Sequence, residues 1–325
     1  MTESSNGSVR LLAVDGNSLG HRAFHSSAKE AAGDPRPLTT GAVISMLATA
    51  FRYGPYDGLV VGFDHPVNQR KQEFPEYKAN RPPTPEALTA ALQLLRRHLT
   101  DCGVLTVEHE GAEADDVMAA TVDACAAKGW SCDVLSSDRD LTALVDEHTR
   151  LLRPRATFAD LAVEDVNQVR ATYKIEPHQY ADLAALRGDP SDGLTGARGI
   201  GPKIAARLIR DYGNVSGLYD VLHDLPPKVE ATLRACRDRI ERNLLLMAPL
   251  AHIEVDVDAA LGIDVDQVYA TLEPLGLELP ARRHQRAVTS PLPPVPPPPP
   301  DELAPAATTA VRNVSANHGD QTSLF

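Results

Sequence analysis

Four short apolar runs, each closed by an acid or leading into an acidic cluster, constrain this chain more than any other feature. LLAV (11–14) ends at Asp15-Gly16 and GLVVGF (58–63) ends at Asp64. VLTV (104–107) leads through His109 to GAEADD, and CDVL (132–135) runs into SSDRD. Such runs, Leu-rich or β-branched with helix-like sequence between them, are the pattern of parallel strands buried on both faces. The fold class expected is α/β, a parallel sheet flanked by helices over residues 9–158, followed by a helical half over 159–285. In such sheets ligands bind beyond the carboxyl ends of the strands. Asp15, Asp64, Glu113, Asp115, Asp116, Asp138 and Asp140 fall there, and Asp189 and Asp192 join them from the helical half. These nine carboxylates cannot share a rim without counter-charge. Divalent cations supply it most simply, and all-oxygen ligation suits Mg²⁺, with Mn²⁺ as a substitute. Two such ions about 3.5–4 Å apart are the usual apparatus of phosphodiester cleavage.

A single Asp at a strand end is more often a helix cap or turn former than a ligand. Acids in five clusters, four of them at strand ends, exceed what caps require. An aspartyl-phosphate phosphatase would also place an Asp at the end of its first strand. Its general acid stands two residues further on, where this chain has Asn17. That scheme also leaves the glycine-rich segment 197–209 without a role.

This segment, Gly199-Ile-Gly201-Pro-Lys203-Ile-Ala205, has the form of a helix–hairpin–helix. Its glycines allow a tight turn that presents backbone N–H groups at a helix start, a site suited to a DNA phosphate. Pro202 fits the first helical turn. From Gly193 to Arg210 the chain carries Arg198, Lys203, Arg207 and Arg210 and no acid. A second basic segment holds Arg70, Lys71, Lys78 and Arg81, with Phe74 and Tyr77 among them. Aromatics beside cations suit single-stranded nucleic acid.

The formal net charge of −12 argues against such a partner only until the acids are located. Setting the nine site carboxylates aside leaves 35 acids against 32 bases, a nearly balanced surface. Cys102, Cys125, Cys132 and Cys236 form no CxxC pair, so neither a disulfide scaffold nor structural zinc is expected. No apolar stretch reaches the roughly 18 residues of a membrane helix, and the polar start, 1–8, lacks the pattern of a signal peptide. A cytoplasmic monomer is the expectation. Residues 1–8 and 286–325 are expected to be disordered, the latter opening with PLPPVPPPPP (291–300), a polyproline II spacer.

VDGNSLGHRAFH (14–25), FPEYKANRPPTPEAL (74–88), GAEADD (111–116), SSDRDL (136–141) and GDPSDGLTGARGIGPKIA (188–205) resemble the bacterial 5′–3′ exonuclease/flap endonuclease family. That family includes the N-terminal nuclease domain of DNA polymerase I. The resemblance runs from about Leu11 to about Gln285, and five motifs fall in the family's order. It implies a PIN-like α/β core, a helical arch at about 65–100, and a helix–three-turn–helix module gripping duplex DNA, with the hairpin at 193–210. By that resemblance Asp15, Asp64 and Asp115 match ligands of a first metal. Glu113, Asp138, Asp140 and Asp192 match those of a second, while Asp116 and Asp189 match acids acting directly or through water. Lys78 matches an arch lysine near the scissile phosphate, Arg81 an arch arginine, and Arg22 a phosphate-binding arginine. Lys203 falls in the loop that binds duplex phosphates, where the resemblance implies a K⁺ ion. Arg70, Arg198, Gly199, Gly201 and Arg207 complete the expected DNA contacts, and Tyr77 is expected to stack on a displaced base. All nine acidic positions are kept, so an active enzyme is expected. It would be freestanding and would act on DNA with a 5′ end or 5′ flap, with RNA–DNA hybrid as a further substrate. The competing reading is a non-catalytic DNA-junction binder tethered to the sliding clamp.

The chain ends Gln321-Thr-Ser-Leu324-Phe325, similar to the peptide by which bacterial replication and repair proteins bind the sliding clamp. Gln321 would orient it, and Leu324 and Phe325 would fill a pocket.

Overall fold

The computed structural model of the chain describes residues 9–27, 35–155, 160–264 and 268. The segments 1–8 and 286–325, with the terminal Gln321, Leu324 and Phe325, lie outside the described residues. Strands β1 (Arg10–Asp15), β2 (Gly58–Phe63), β3 (Leu105–Glu108), β4 (Ser131–Leu135), β5 (Thr149–Pro154) and β6 (Leu161–Glu164) form one sheet. Their order is β3-β2-β1-β4-β5-β6, parallel throughout except for β6, which runs antiparallel to β5. β1, β2 and β4 are buried almost end to end, which is why they read as unbroken apolar runs. On one face Leu12, Val14, Leu59 and Val61 pack against helices α1 (Gly16–Ser27), α2 (Pro35–Ala50) and α4 (Glu86–Asp101). On the other, Leu11, Ala13, Val60 and Val134 meet Val117 and Met118 of α5 (Ala114–Ala127) and Val169 of α6 (Val166–Tyr173).

The connections turn in opposite directions on either side of β1 and β4. These neighbours are therefore the switch point of the sheet, and a crevice opens beyond their carboxyl ends. Asp15 ends β1, and Ser136 to Asp140 follow β4.

Two expectations about organisation need correction. The boundary at 158/159 falls inside the α/β body, because β6 and α6 complete the sheet and one of its faces. The helical body follows Tyr173. It comprises α7 (Tyr180–Arg187), the small hairpin β7 (Gly188–Asp189) and β8 (Leu194–Thr195), then α8 (Pro202–Tyr212), α9 (Val215–Asp220) and α10 (Pro227–Met247). Its own core includes Tyr180, Leu183, Ile209, Leu218, Leu233 and Ile240. The arch expected at 65–100 also divides. Leu88, Ala91, Leu95 and Leu99 are buried, and this helical spacing lays α4 on the body against α1 and α2. Only 64–85, with the short α3 (Gln69–Glu73), crosses the carboxyl edge.

The sheet carries one buried charge far from that edge. Asp133 of β4 is fully buried and accepts from Arg10 at 2.9 Å, Arg150 Nε at 2.8 Å and the Tyr56 hydroxyl at 2.6 Å. Asp133→Leu leaves two guanidinium groups without their carboxylate. We expect a loss of about 3 kcal/mol, near the lower bound for a broken buried pair because both arginines keep some solvent contact. Urea denaturation measures it.

Candidate active site

Each strand-end acid is fixed by a backbone N–H, of its own turn or of a neighbouring element. Asp15 caps α1, accepting from Ser18 N at 2.8 Å, and its second oxygen accepts the Ser136 hydroxyl at 2.7 Å. Cap and site residue are here the same side chain. Asp64 accepts from Ala114 N at 2.8 Å, tying the end of β2 to the start of α5. Glu113 is the N-cap of α5, with Asp115 and Asp116 in its first turn. Asp138 accepts from Asp140 N at 2.9 Å, and Asp189 from Ser191 N at 2.9 Å. Asp192 closes the turn between β7 and β8.

These acids fall into two sets. Glu113, Asp116, Asp192 and, through Arg187 at 3.8 Å, Asp189 have protein cations. Lys78 Nζ lies 2.7 Å from Glu113 and 3.8 Å from Asp192, Arg81 pairs with Asp192, and Arg70 forks onto Asp116 at 2.7 and 2.8 Å. Burial pushes the Glu113 carboxyl up, but Lys78 and Arg70 outweigh it and hold it below the usual range. Burial and Arg70 act on Asp116 in the same opposed way, with the same result. The second set is Asp15, Asp64, Asp115, Asp138 and Asp140, which pair with no Lys or Arg among the described residues. Desolvation, then the charges of Asp138 and Asp15, raise Asp115 well above the ordinary range. Desolvation followed by Asp138, Asp189 and Asp192 raises Asp140 likewise. Asp15 is pushed up to about 7, mainly by burial, with Asp64 and Asp138 adding to it.

The second set fits divalent cations by its chemistry. It is all oxygen, has no Lys or Arg in ion-pair contact among the described residues, and includes Asp140 Oδ1, buried with no hydrogen-bond partner among the described residues. Among the described residues no three acidic, His or Cys side chains stand at ligand distance around one point. Like charges repel, and backbone donors hold Asp15 and Asp138 to their own turns and Asp64 to the start of α5, so an ion would draw the carboxylates together by side-chain rotation.

A pH effect follows. The folded protein raises Asp15 from 3.8 to about 7, so it holds that proton more tightly than the unfolded chain does. This contribution to stability is full below pH 3.8 and is lost as pH rises through about 7. In EDTA the melting temperature should fall between about pH 6 and pH 8, and Mg²⁺ should restore it at the higher pH. A thermal shift series checks both signs.

Two expected DNA contacts are corrected. Tyr77 is 4% exposed, packs on Leu194 and Leu246, and donates its hydroxyl to Glu113 at 2.9 Å and Asp192 at 3.3 Å. It has no face free for a displaced base. Arg70 is buried, with its donors spent on Asp116 and the carbonyls of Leu246 and Ala248, and so it does not face a phosphate. Arg81 stays beside the acids, donating to the carbonyl of Ser191 at 2.9 Å. Arg22 donates to the carbonyl of Arg155 and keeps a buried Nε without a partner among the described residues. In the glycine-rich turn Ile200 is buried, while Arg198, Gly199, Gly201 and Lys203 are exposed and Arg207 is half-buried. Gly199 has φ +84°, where a side chain would be strained, and Gly201 caps α8. Sequence reasoning missed Ser136, whose hydroxyl joins Asp15 to Asp138 N at 2.9 Å. Its signal was a serine directly after an apolar strand and before two acids.

The comparisons with known proteins agree with this layout. A family model described as the N-terminal resolvase-like domain of 5′-3′ exonuclease matches residues 10–174, and one described as the C-terminal SAM fold of 5′-3′ exonuclease matches 175–272. The chain belongs to the 5′-3′ exonuclease family. The join of the two models falls directly after α6, where the structure ends the α/β body. DNA polymerase I of Mycobacterium tuberculosis is 35% identical over 237 residues, covering 72% of this chain and 26% of the relative. The thermostable DNA polymerase I of Thermus thermophilus is 32% identical over 252 residues, covering 77% and 30%. The chain thus spans about a quarter to a third of the length of these relatives. The 5′-exonuclease of T5, solved with zinc bound, matches with a TM-score of 0.62 at 25% identity, covering 82% of this chain and 98% of that one. The catalytic core of Rad2 shares the fold at 15% identity and a TM-score of 0.50. This family's PIN-like body and helical C-terminal body are the two units seen here. No described helix is long and apolar enough to cross a membrane.

Proposed function

We propose that this exonuclease-family chain is a divalent-metal-dependent 5′-nuclease hydrolysing DNA at a free 5′ end or 5′ flap. RNA–DNA hybrid is a further substrate, and Mg²⁺ is the working ion. The observation that carries the reading is the set of carboxylates without protein counter-charge, gathered at the sheet's switch point beneath a strip of cations. Asp15, Asp64, Asp115, Asp138 and Asp140 would hold two ions, with Asp189 at the margin. Bound divalent ions supply an activated water and charge stabilisation at both the attacking and leaving oxygens. The protein's own part is orientation. Lys78 and Arg81, anchored on Glu113 and Asp192, offset charge on the scissile phosphate from the edge of the acid set. The exposed turn at 198–203 offers helix N-terminal N–H groups and Lys203 to a duplex phosphate, a contact that fixes register without reading sequence. A K⁺ ion at this turn would serve the same contact.

The chain is proposed to act as a cytoplasmic monomer tethered to a sliding clamp through Gln321, Leu324 and Phe325. A tether of this kind raises local concentration without altering the site. Deleting 321–325 should abolish clamp capture in a pull-down and leave cleavage of free oligonucleotides intact.

A 5′-labelled flap duplex tests the main reading. Incubation with Mg²⁺ should release short labelled products and EDTA should stop it, whereas tight binding without cleavage would favour the junction-binder reading.

A further inference from the structure

Arg70 is the most heavily bonded side chain near the site, and all its donors are taken by groups of the protein. It stands on α3, at the base of the segment that crosses the acids. Its guanidinium meets Asp116, in the first turn of α5, by two parallel bonds of 2.7 and 2.8 Å. Its other donors reach the carbonyls of Leu246 at 2.9 Å and Ala248 at 2.7 Å, at the end of α10, and Glu113 at 3.5 Å. Asp116 is used as fully. It also accepts from Glu113 N at 2.9 Å and from Leu250 N at 2.9 Å. One buried ion pair therefore joins three things: the crossing segment, the helix that presents Glu113 and Asp115, and α10 of the body that carries the hairpin. The crossing segment is also held at its far end, by Lys78 on Glu113 at 2.7 Å, Arg81 on Asp192, and the backbone bond of Lys78 N to the carbonyl of Asp192 at 3.0 Å, but only Arg70 ties it to α10 and to Asp116 at once.

We propose that Arg70 and Asp116 form a positioning clasp that sets Lys78 and Tyr77 against the acids and locks this placement to the helical body. Asp116 is then a fastening residue and not a metal ligand. Arg–carboxylate forks are specific in angle as well as distance, and a buried one fixes register where apolar packing alone would allow sliding. A shift of about 1 Å in a positioning group can cost about a hundredfold in rate. The inference rests on the nuclease reading for its kinetic part and has a readout that does not.

The test uses the full chain with Arg70→Lys, which keeps the charge but cannot fork, and with the paired replacement Arg70→Met/Asp116→Leu, which leaves no buried charge unpaired. The paired variant keeps the protein folded if the lysine variant does not. Amide hydrogen exchange over 74–81 should speed up at least about tenfold in either variant while α5 keeps its protection. Cleavage of the flap substrate should lose about tenfold in kcat for Arg70→Lys and about a hundredfold for the pair, with KM changed less than about threefold. Half-saturation by Mg²⁺ should stay where it is, because the clasp holds no ion. Unchanged exchange over 74–81 in a folded variant overturns the clasp. So does wild-type kcat in the paired variant, or a large loss of Mg²⁺ affinity on replacing Asp116. If the wild-type chain itself cuts nothing, the nuclease reading fails, and the exchange result still decides whether the clasp orders the segment.

Discussion

Asp115→Asn should lower single-turnover cleavage of a 5′-flap duplex at least about a thousandfold while binding to the same DNA in Ca²⁺ stays within about threefold. Asp115 stands in the first turn of α5, its carboxyl raised by desolvation and by the charges of Asp138 and Asp15. No Lys or Arg pairs with it among the described residues, so bound ions are the counter-charge proposed for it. The amide keeps the shape and removes that charge. Folding should not suffer, because one source of repulsion is gone and the melting temperature in EDTA should rise slightly. A rise in stability with a collapse in rate is the signature of a site that carries strain for function. Loss of DNA binding along with activity would instead place Asp115 in the scaffold. Asp15→Asn and Asp138→Asn belong to the same class.

Lys78→Met should lower kcat about a hundredfold and also cost stability, by about 2–3 kcal/mol. Lys78 is buried, lies 2.7 Å from Glu113, and sits over the Tyr77 ring at 4.7 Å from its centre. Burial disfavours its charge, yet Glu113, Tyr77 and Asp192 together hold its pKa well above the ordinary value. It is thus a fixed cation at the edge of the acid set. Its backbone adds to the case, since φ +54° is a left-handed conformation that a residue with a side chain adopts at a cost. The surrounding bonds over-determine that conformation. Denaturation and steady-state kinetics on one preparation separate the two losses. Reduced stability with wild-type kcat would mean that Lys78 only balances Glu113.

The sequence made the strand ends legible because a parallel strand buried on both faces has no polar alternation to hide it. β1, β2 and β4 are such strands, and the acids after them could be placed at one edge before any coordinates. β5 and β6 lie at the margin of the sheet. Arg150 and Arg153 interrupt the apolar run of β5, and β6 is only four residues long, so neither stood out from the helical sequence around it. The paired acids were less legible still. A cation on a page of sequence looks the same whether it faces solvent or a buried carboxylate. Arg70 finds Asp116 across 46 positions and the Leu246 carbonyl across 176. Tyr77 was legible as an aromatic among cations, and only its packing on Leu194 and Leu246 reveals that its ring is spent. The nine acids could therefore be read from sequence as one group, but not as two sets with different counter-charges.

That division is the central claim, and counting bound ions tests it most directly. Titrating the metal-stripped chain with Mn²⁺ and following the free ion by electron paramagnetic resonance should give about two bound ions per chain. Asp115→Asn and Asp138→Asn should each remove or greatly weaken at least one of them, and Asp116→Asn should leave both in place. Unchanged Mn²⁺ binding in the Asp115 and Asp138 variants, or loss of an ion in the Asp116 variant, would contradict the account.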